Sequence, residues 1–428
     1  MNPPRSETAR NSFRQGERVS EERVAKQDSQ EEPRSPWPPP RAAGSPSKSS
    51  GISPPKVAVV FGTRPEAIKL APVIRELKAR NGCFRTAVCI TSQHNELLQQ
   101  ALSILELTVD YDLQIMRENQ SLYQVMTAAM SKLEAMMREV EPEAVIVQGD
   151  TSTAFAAALA SYYIKVPVCH VEAGLRTYDK YAPFPEEINR RLIACIAELN
   201  FAPTPKAREN LLREGIPSDK IAVVGNTVID NLLWMVEKIK ASEFNAPGIP
   251  SLSPQEKLIL VTSHRRENFG PGFEGICLAL RDIVQKHPEV VVVFSVHPNP
   301  NVYLPAHRLI GNLPRVHLIK PLDYRSFVAA MMKSYFILTD SGGVQEEAPV
   351  LGKPTLVLRQ VTERPEAVEL GRAKVVGTQQ QEIVREVVRL LEDSDAYREM
   401  SSPCSPFGDG KASKRIVDRL EKLVGRGR

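Results

Sequence analysis

The sequence predicts an α/β protein of two doubly wound, Rossmann-like domains, and three observations carry that expectation. Continuous apolar runs suited to strands buried on both faces, such as Val57-Ala58-Val59-Val60-Phe61, alternate with helical patterns. The alternation breaks at 241–256, a stretch rich in Pro, Ser and Gly, and then resumes. At 428 residues and 42% hydrophobic, the chain is long enough for two ordinary cores and a tail.

Residues 1–55 are rich in Pro, Ser, Arg and Glu and hold too few apolar side chains for a core, which predicts a disordered tail. The first domain is expected over 56–228, completed by a C-terminal helix within 409–428, and the second over 229–408. In the first, strand Val57 to Phe61 leads through Gly62-Thr63-Arg64-Pro65-Glu66 into a helix with Pro65 at its first position. A strand at Thr86 to Ile90, helices from about His94 to Leu105 and from Ser121 to Val140, and a strand at Ala144 to Gln148 follow. The turn Gly149-Asp150-Thr151, an Ala-rich helix and a strand at Val166 to Val171 come next. The second series starts at Leu258 to Thr262 and includes strands at Val290 to Val296, Val316 to Ile319 and Tyr335 to Leu338. A last helix, from about Lys411 to Val424, has room to pack back on the first domain.

Composition narrows the function. A net charge of +4 from 55 basic and 51 acidic residues, with no long Lys/Arg block outside the tail, disfavours nucleic acid as a partner. No apolar run reaches the roughly 18 residues of a membrane span, and no signal-peptide core is visible, so the cytoplasm is the expected location. Six scattered cysteines without a CxxC pair read as reduced core residues, and no HExxH or Cys/His cluster suggests a metal. Neither GxGxxG nor GxxxxGK[ST] occurs at a strand end, which excludes the dinucleotide fingerprint and the P-loop.

The candidate chemistry sits at strand ends. Ser341-Gly342-Gly343 opens a helix after an apolar strand, where unpaired N–H groups and the helix dipole suit a phosphate. Glu346 and Glu347, one turn on, suit a neighbouring sugar hydroxyl. Taken alone, the same turn also reads as tight βα packing with acids in a first helical turn. Arg64 and Lys69 lie near a helix start, where a cation is unfavourable unless an anion binds. His264, beside Arg265 and Arg266, is a further phosphate or proton-transfer candidate. Asp150, Glu172 and Glu186 place three acids on one rim of one sheet, and clustered carboxylates perturb one another in ways that suit proton transfer. The structural alternatives are that Asp150 and Glu186 charge helix starts and that Glu172 pairs with Arg176.

With these residues in view, the chain resembles the non-hydrolysing UDP-N-acetylglucosamine 2-epimerases of bacteria and archaea over roughly 56–425. The matching segments are Phe61 to Glu66, Gly149-Asp150-Thr151, His170 to Arg176, Pro185-Glu186-Glu187, His264 to Asn268, Thr339 to Gly343 and Thr362 to Glu366. The resemblance implies a GT-B fold with a cleft between two domains, no metal or redox cofactor, and a homodimer. It also implies reversible inversion at C2 between UDP-GlcNAc and UDP-ManNAc, by elimination of UDP to 2-acetamidoglucal and re-addition, which would supply ManNAc units for cell-surface polysaccharide. Carried over residue by residue, Asp150, Glu172 and Glu186 are the catalytic carboxylates and His264 assists the leaving phosphate. Arg64, Lys69 and the Ser341-Gly342-Gly343 backbone hold the diphosphate, and Glu347 the ribose.

The family's allosteric UDP-GlcNAc site corresponds to Gln93, Glu96, Asn119, Arg265 and His297. Glu96 and Asn119 stand where bacterial members that use this site commonly carry Gln and Arg, so this chain loses a cation there and gains an anion. Three alternatives remain: a hydrolysing epimerase releasing UDP and ManNAc, a GT-B glycosyltransferase, and a nucleotide-sugar-binding regulatory protein.

Overall fold

The computed structural model describes residues 53–425 apart from Asn81, Ser92–Asn95, Glu118 and Glu243. Nearly all of the predicted tail thus lies outside the described residues. Among the described residues thirteen strands form two parallel sheets. The first holds β1 (Lys56–Phe61), β2 (Arg85–Ile90), β3 (Tyr111–Asp112), β4 (Ala144–Gln148), β5 (Val168–Val171), β6 (Leu199–Ala202) and β7 (Ile221–Val223). The second holds β8 (Lys257–Ser263), β9 (Val290–Val296), β10 (Val316–Ile319), β11 (Phe336–Thr339), β12 (Thr355–Val357) and β13 (Ala373–Val375).

The first sheet runs β3-β2-β1-β4-β5-β6-β7 and the second β10-β9-β8-β11-β12-β13. Each therefore reverses winding direction once, between β1 and β4 and between β8 and β11. The carboxyl ends at these two points carry the βα turns Gly62 to Arg64, Gly149 to Thr151, His264-Arg265 and Asp340-Ser341, where ligands of doubly wound sheets bind. Two such sheets in one chain make the GT-B architecture.

The central strands are buried along nearly their whole length, as their unbroken apolar runs require. One apolar cluster runs from Val57 and Phe61 through Leu232 and Met235 of helix Thr227–Ala241 to Leu258, Leu260 and Ile337, so this helix carries a shared core across both lobes. Helix Ala412–Gly425 adds Ile416, Val417 and Leu420 to the same cluster. Its start is capped from the Thr227–Ala241 helix: Asp230 accepts from the N–H of Ala412 at 3.2 Å, and from the N–H and hydroxyl of Ser413 at 2.8 and 2.6 Å.

Several boundaries shift from expectation by one or two residues, two of them at prolines. The strand foreseen from Val166 starts at Val168, because Pro167 has no N–H for the ladder and contributes only its carbonyl, which accepts from Val145 N–H at 2.9 Å. The helix foreseen to begin at Pro65 begins at Arg64, with Thr63 at the cap and Pro65 in second place.

Candidate active site

A cleft of about 620 Å³ is lined by Arg64 and Lys69 from the first lobe and by His264, His297, Ser341, Gly343 and Glu347 from the second. Arg64 has no hydrogen bond or ion pair among the described residues. Burial lowers its guanidinium ionisation from the ordinary value, and Asp323 and Glu347 oppose that. A half-buried cation without a partner is the electrostatic complement of a ligand anion.

Opposite, the helix Gly342–Glu347 starts after Ser341, and the N–H groups of Gly342 and Gly343 have no acceptor among the described residues. A Cβ built on either glycine would meet no protein atom closer than 3.9 Å. The fold itself therefore does not demand glycine here. Gly343 faces the cleft, whereas Gly342 is buried and does not line it.

The two acids of this helix diverge. Glu346 accepts from Arg364 Nε and, at 3.0 Å, from Asn226 Nδ2, so it is tied into the seam between the lobes. Glu347 alone reaches the cleft. Its Oε1 accepts from the buried Tyr324 hydroxyl at 2.7 Å, and burial pushes its carboxyl up to about 7. The sugar-hydroxyl role first considered for both acids thus narrows to Glu347.

The three candidate carboxylates lie outside the cleft volume itself, and Lys69 connects it to one of them. The Lys69 ammonium contacts Glu172, which also accepts from Gln148 Nε2 at 3.1 Å. Arg176 instead pairs with Glu214, at 2.9 and 2.7 Å, which removes the structural alternative that Glu172 serves Arg176. Burial would raise the Glu172 carboxyl, but Lys69, Arg364 and Arg190 together hold it below the ordinary value. Asp150 moves the other way: burial raises it although Arg190 contacts it. Glu172 sits at φ +64, an uncommon backbone state for a side-chain-bearing residue that clusters at functional sites.

The turn that carries Asp150 is held from several sides. The buried His170 donates its Nε2–H to the Gly149 carbonyl at 2.7 Å, and burial pushes this imidazole down to about 4, so it stays neutral. Asn189 Nδ2 donates to the Asp150 carbonyl at 2.9 Å. Thr151 donates to Glu66 Oε1 at 2.8 Å, while Glu66 Oε2 accepts from the N–H groups of Gly62 and Thr63 at 3.1 and 2.8 Å. Glu66 therefore couples the Arg64 turn to the Asp150 turn. Glu186 opens the helix Glu186–Ile196, the same helix that supplies Asn189 and Arg190 to Asp150. Its carboxylate has no partner among the described residues.

Sequence reasoning passed over Glu66, Arg190, His170, Tyr324, Arg364 and Asp340. For Glu66 a signal existed in the capping spacing Thr63-Arg64-Pro65-Glu66. For Asp340 and His170 only the matching segments marked the position. The predicted second site is only partly within the described residues. Gln93 and the side chain of Glu96 lie outside the described residues. Asn119, at φ +55, lines a separate groove with Tyr123 and Lys132, away from Arg265 and His297. Among the described residues no group of three or more His, Cys, Asp or Glu could hold a metal ion. None of their helices is long and apolar enough to cross a membrane.

Known proteins share both the sequence and this architecture. The family described as UDP-N-acetylglucosamine 2-epimerase matches residues 75–421. The UDP-N-acetylglucosamine 2-epimerase of Neisseria meningitidis is 49% identical over 370 residues, 86% of this chain and 99% of that protein. The Escherichia coli K12 enzyme of the same name is 48% identical, covering 86% of this chain and 98% of its own. The crystal structure of the N. meningitidis enzyme bound to UDP-GlcNAc superimposes with a TM-score of 0.81, at 49% identity over 86% of this chain and 100% of that one. With nearly the whole length of these relatives spanned at about half identity, the chain belongs to the UDP-N-acetylglucosamine 2-epimerase family.

Proposed function

We propose that the protein interconverts UDP-GlcNAc and UDP-ManNAc by eliminating and re-adding UDP, without hydrolysis. One observation carries the reading: two partly buried acids whose ionisations are pushed in opposite directions, one of them in contact with Lys69, stand beside a cleft that presents Arg64, Lys69, His264 and the Ser341-Gly343 turn. Opposed carboxylate environments are how a site obtains an acid and a base from one residue type.

In the forward direction a carboxylate takes the C2 proton and the C1–O bond breaks, with its electron pair leaving on the β-phosphate oxygen of UDP. The product of this step is 2-acetamidoglucal. Arg64, His264 and the unpaired N–H groups of the turn would meet the charge on the departing oxygen, the place where oriented donors lower a barrier most. In the return step that oxygen attacks C1, and a proton reaches C2 from the other face. Inversion requires groups on both faces of the sugar, which is the task assigned to Asp150, Glu172 and Glu186. Lys69 keeps Glu172 ionised beside the diphosphate, and Glu347 with Tyr324 receives the ribose.

The reading extends to a homodimer working in the cytoplasm and supplying ManNAc units for cell-surface polysaccharide. Proton NMR of the protein with UDP-GlcNAc in deuterated water tests the chemistry. The expected result is UDP-ManNAc carrying deuterium at C2 with no accumulation of free UDP. Accumulating UDP and free ManNAc would instead mark a hydrolysing epimerase, and turnover only with an added sugar acceptor would mark a transferase.

A further inference from the structure

We propose that Asp340 is the positioning residue for His264, turning the imidazole so that Nδ1–H faces its buried carboxylate and Nε2 faces the diphosphate. The inference rests on the reading of His264 as a diphosphate group. Asp340 follows β11 directly and is 0% exposed. Its Oδ2 accepts from Ser263 Oγ, His264 N and Arg265 N, each at 2.9 Å, and from Asn268 Nδ2 at 3.0 Å. Those contacts already join the end of β8 to the end of β11.

The other oxygen is what a purely structural role does not explain. Oδ1 is buried and has no hydrogen-bond partner among the described residues, yet it lies 3.3 Å from His264 Nδ1. A buried carboxylate oxygen left without a donor is costly, so placing it beside a ring nitrogen needs a compensating purpose. At 3.3 Å the contact is long for an N–H···O bond, and catalytic hydrogen bonds of an unliganded site commonly tighten once substrate binds.

The pairing has a chemical consequence. An acceptor-only carboxylate selects the tautomer with hydrogen on Nδ1, leaving Nε2 as the nitrogen on which a proton is gained. Burial disfavours the charged imidazole, as do Arg265 beside it and His297 from the end of β9, whose ring stacks at 6.0 Å; Asp340 opposes all three and favours it. A protonated Nε2 can donate to the phosphate oxygen as UDP leaves and still hold it when UDP returns.

Nitrogen-15 NMR of histidine-labelled wild-type protein saturated with UDP reads the tautomer without any variant. Hydrogen on Nδ1 of His264 is expected, and a bare Nδ1 in that complex overturns the proposal. Asp340→Asn turns an amide NH₂ towards Nδ1. It should lower the His264 titration midpoint in the UDP complex by on the order of one pH unit or more, and move the alkaline limb of kcat with it. An unmoved midpoint and limb overturn the proposal. In a His264→Ala background Asp340→Asn should add less than about a twofold loss in kcat, whereas independent losses that multiply would show Asp340 acting elsewhere. UDP affinity of His264→Ala separates the two readings. Unchanged affinity removes His264 from the diphosphate, while weakened affinity with an unmoved titration removes only Asp340's part.

Discussion

Lys69 contacts Glu172, and without its ammonium only Arg364 and Arg190 remain to oppose the burial that raises that acid. Lys69→Met should therefore raise the Glu172 ionisation and shift the acid limb of the pH–rate profile to higher pH, by on the order of one unit. A profile that drops in height but keeps its limb would show that Glu172 does not need to be ionised. Asp150→Asn, Glu172→Gln and Glu186→Gln should each cut turnover on the order of 10²-fold or more with UDP still bound, if each transfers a proton. Calorimetric UDP binding alongside the rate assay checks both halves, and a near-normal rate removes that residue from the set. Glu66 gives a stability prediction. Burial raises its carboxyl to about 7 from an ordinary 4.5, so the folded state holds a proton that the unfolded chain has released. Its contribution is complete below pH 4.5 and is lost as pH rises to about 7, at most on the order of 3 kcal/mol. Glu66→Gln cannot titrate, so its melting temperature should gain on the wild type between pH 5 and 8.

The elements were legible where the pattern was long. Val57 to Phe61 and Val290 to Val296 announce themselves as buried strands because both faces are apolar, and the run from Ser121 to Val140 keeps helical spacing for more than five turns' worth of positions. The short strands β3, β6, β7, β12 and β13 were not read, since two to four residues carry too little periodicity and their pairing is decided by neighbours distant in sequence. The same limit applies to the site. Candidate groups such as Arg64, Asp150 and His264 stood at strand ends and could be picked out, but their supports, Glu66, His170 and Asp340, act by reaching another turn across the sheet. A sequence does not display such reach. Helix Ala412–Gly425 depends on a support of this kind, Asp230. Replacing it by Ala leaves its start without a side-chain acceptor, at a cost of about 1–3 kcal/mol. Chemical denaturation of Asp230→Ala should show that loss with an unchanged slope; a smaller loss would mean that packing by Ile416 and Leu420 suffices.

At the scale of the whole molecule, relatives are covered over 98–99% of their length while 86% of this chain is used, which leaves a part of this chain that those relatives do not match. Removing residues 1–52 should leave melting temperature and epimerisation within experimental scatter; a clear loss in either would give the tail a role in the body. With Glu96 and Asn119 where an activator would meet Gln and Arg, turnover of UDP-GlcNAc should follow a hyperbolic curve, and UDP-ManNAc should react without a trace of UDP-GlcNAc. A sigmoidal curve with a strict requirement for added UDP-GlcNAc would show a working second site. The chain also passes between the lobes twice, once through the linker after Ala241 and once on its return to helix Ala412–Gly425, which packs in one cluster with Leu70 and Ile74 of the first lobe and Leu232 of the shared helix. Ser251 and Ser253 to Gln255 in that linker are exposed. A protease that nicks there should yield two bands on a denaturing gel but one particle on a sizing column, because the later fragment keeps its last helix stitched into the earlier one.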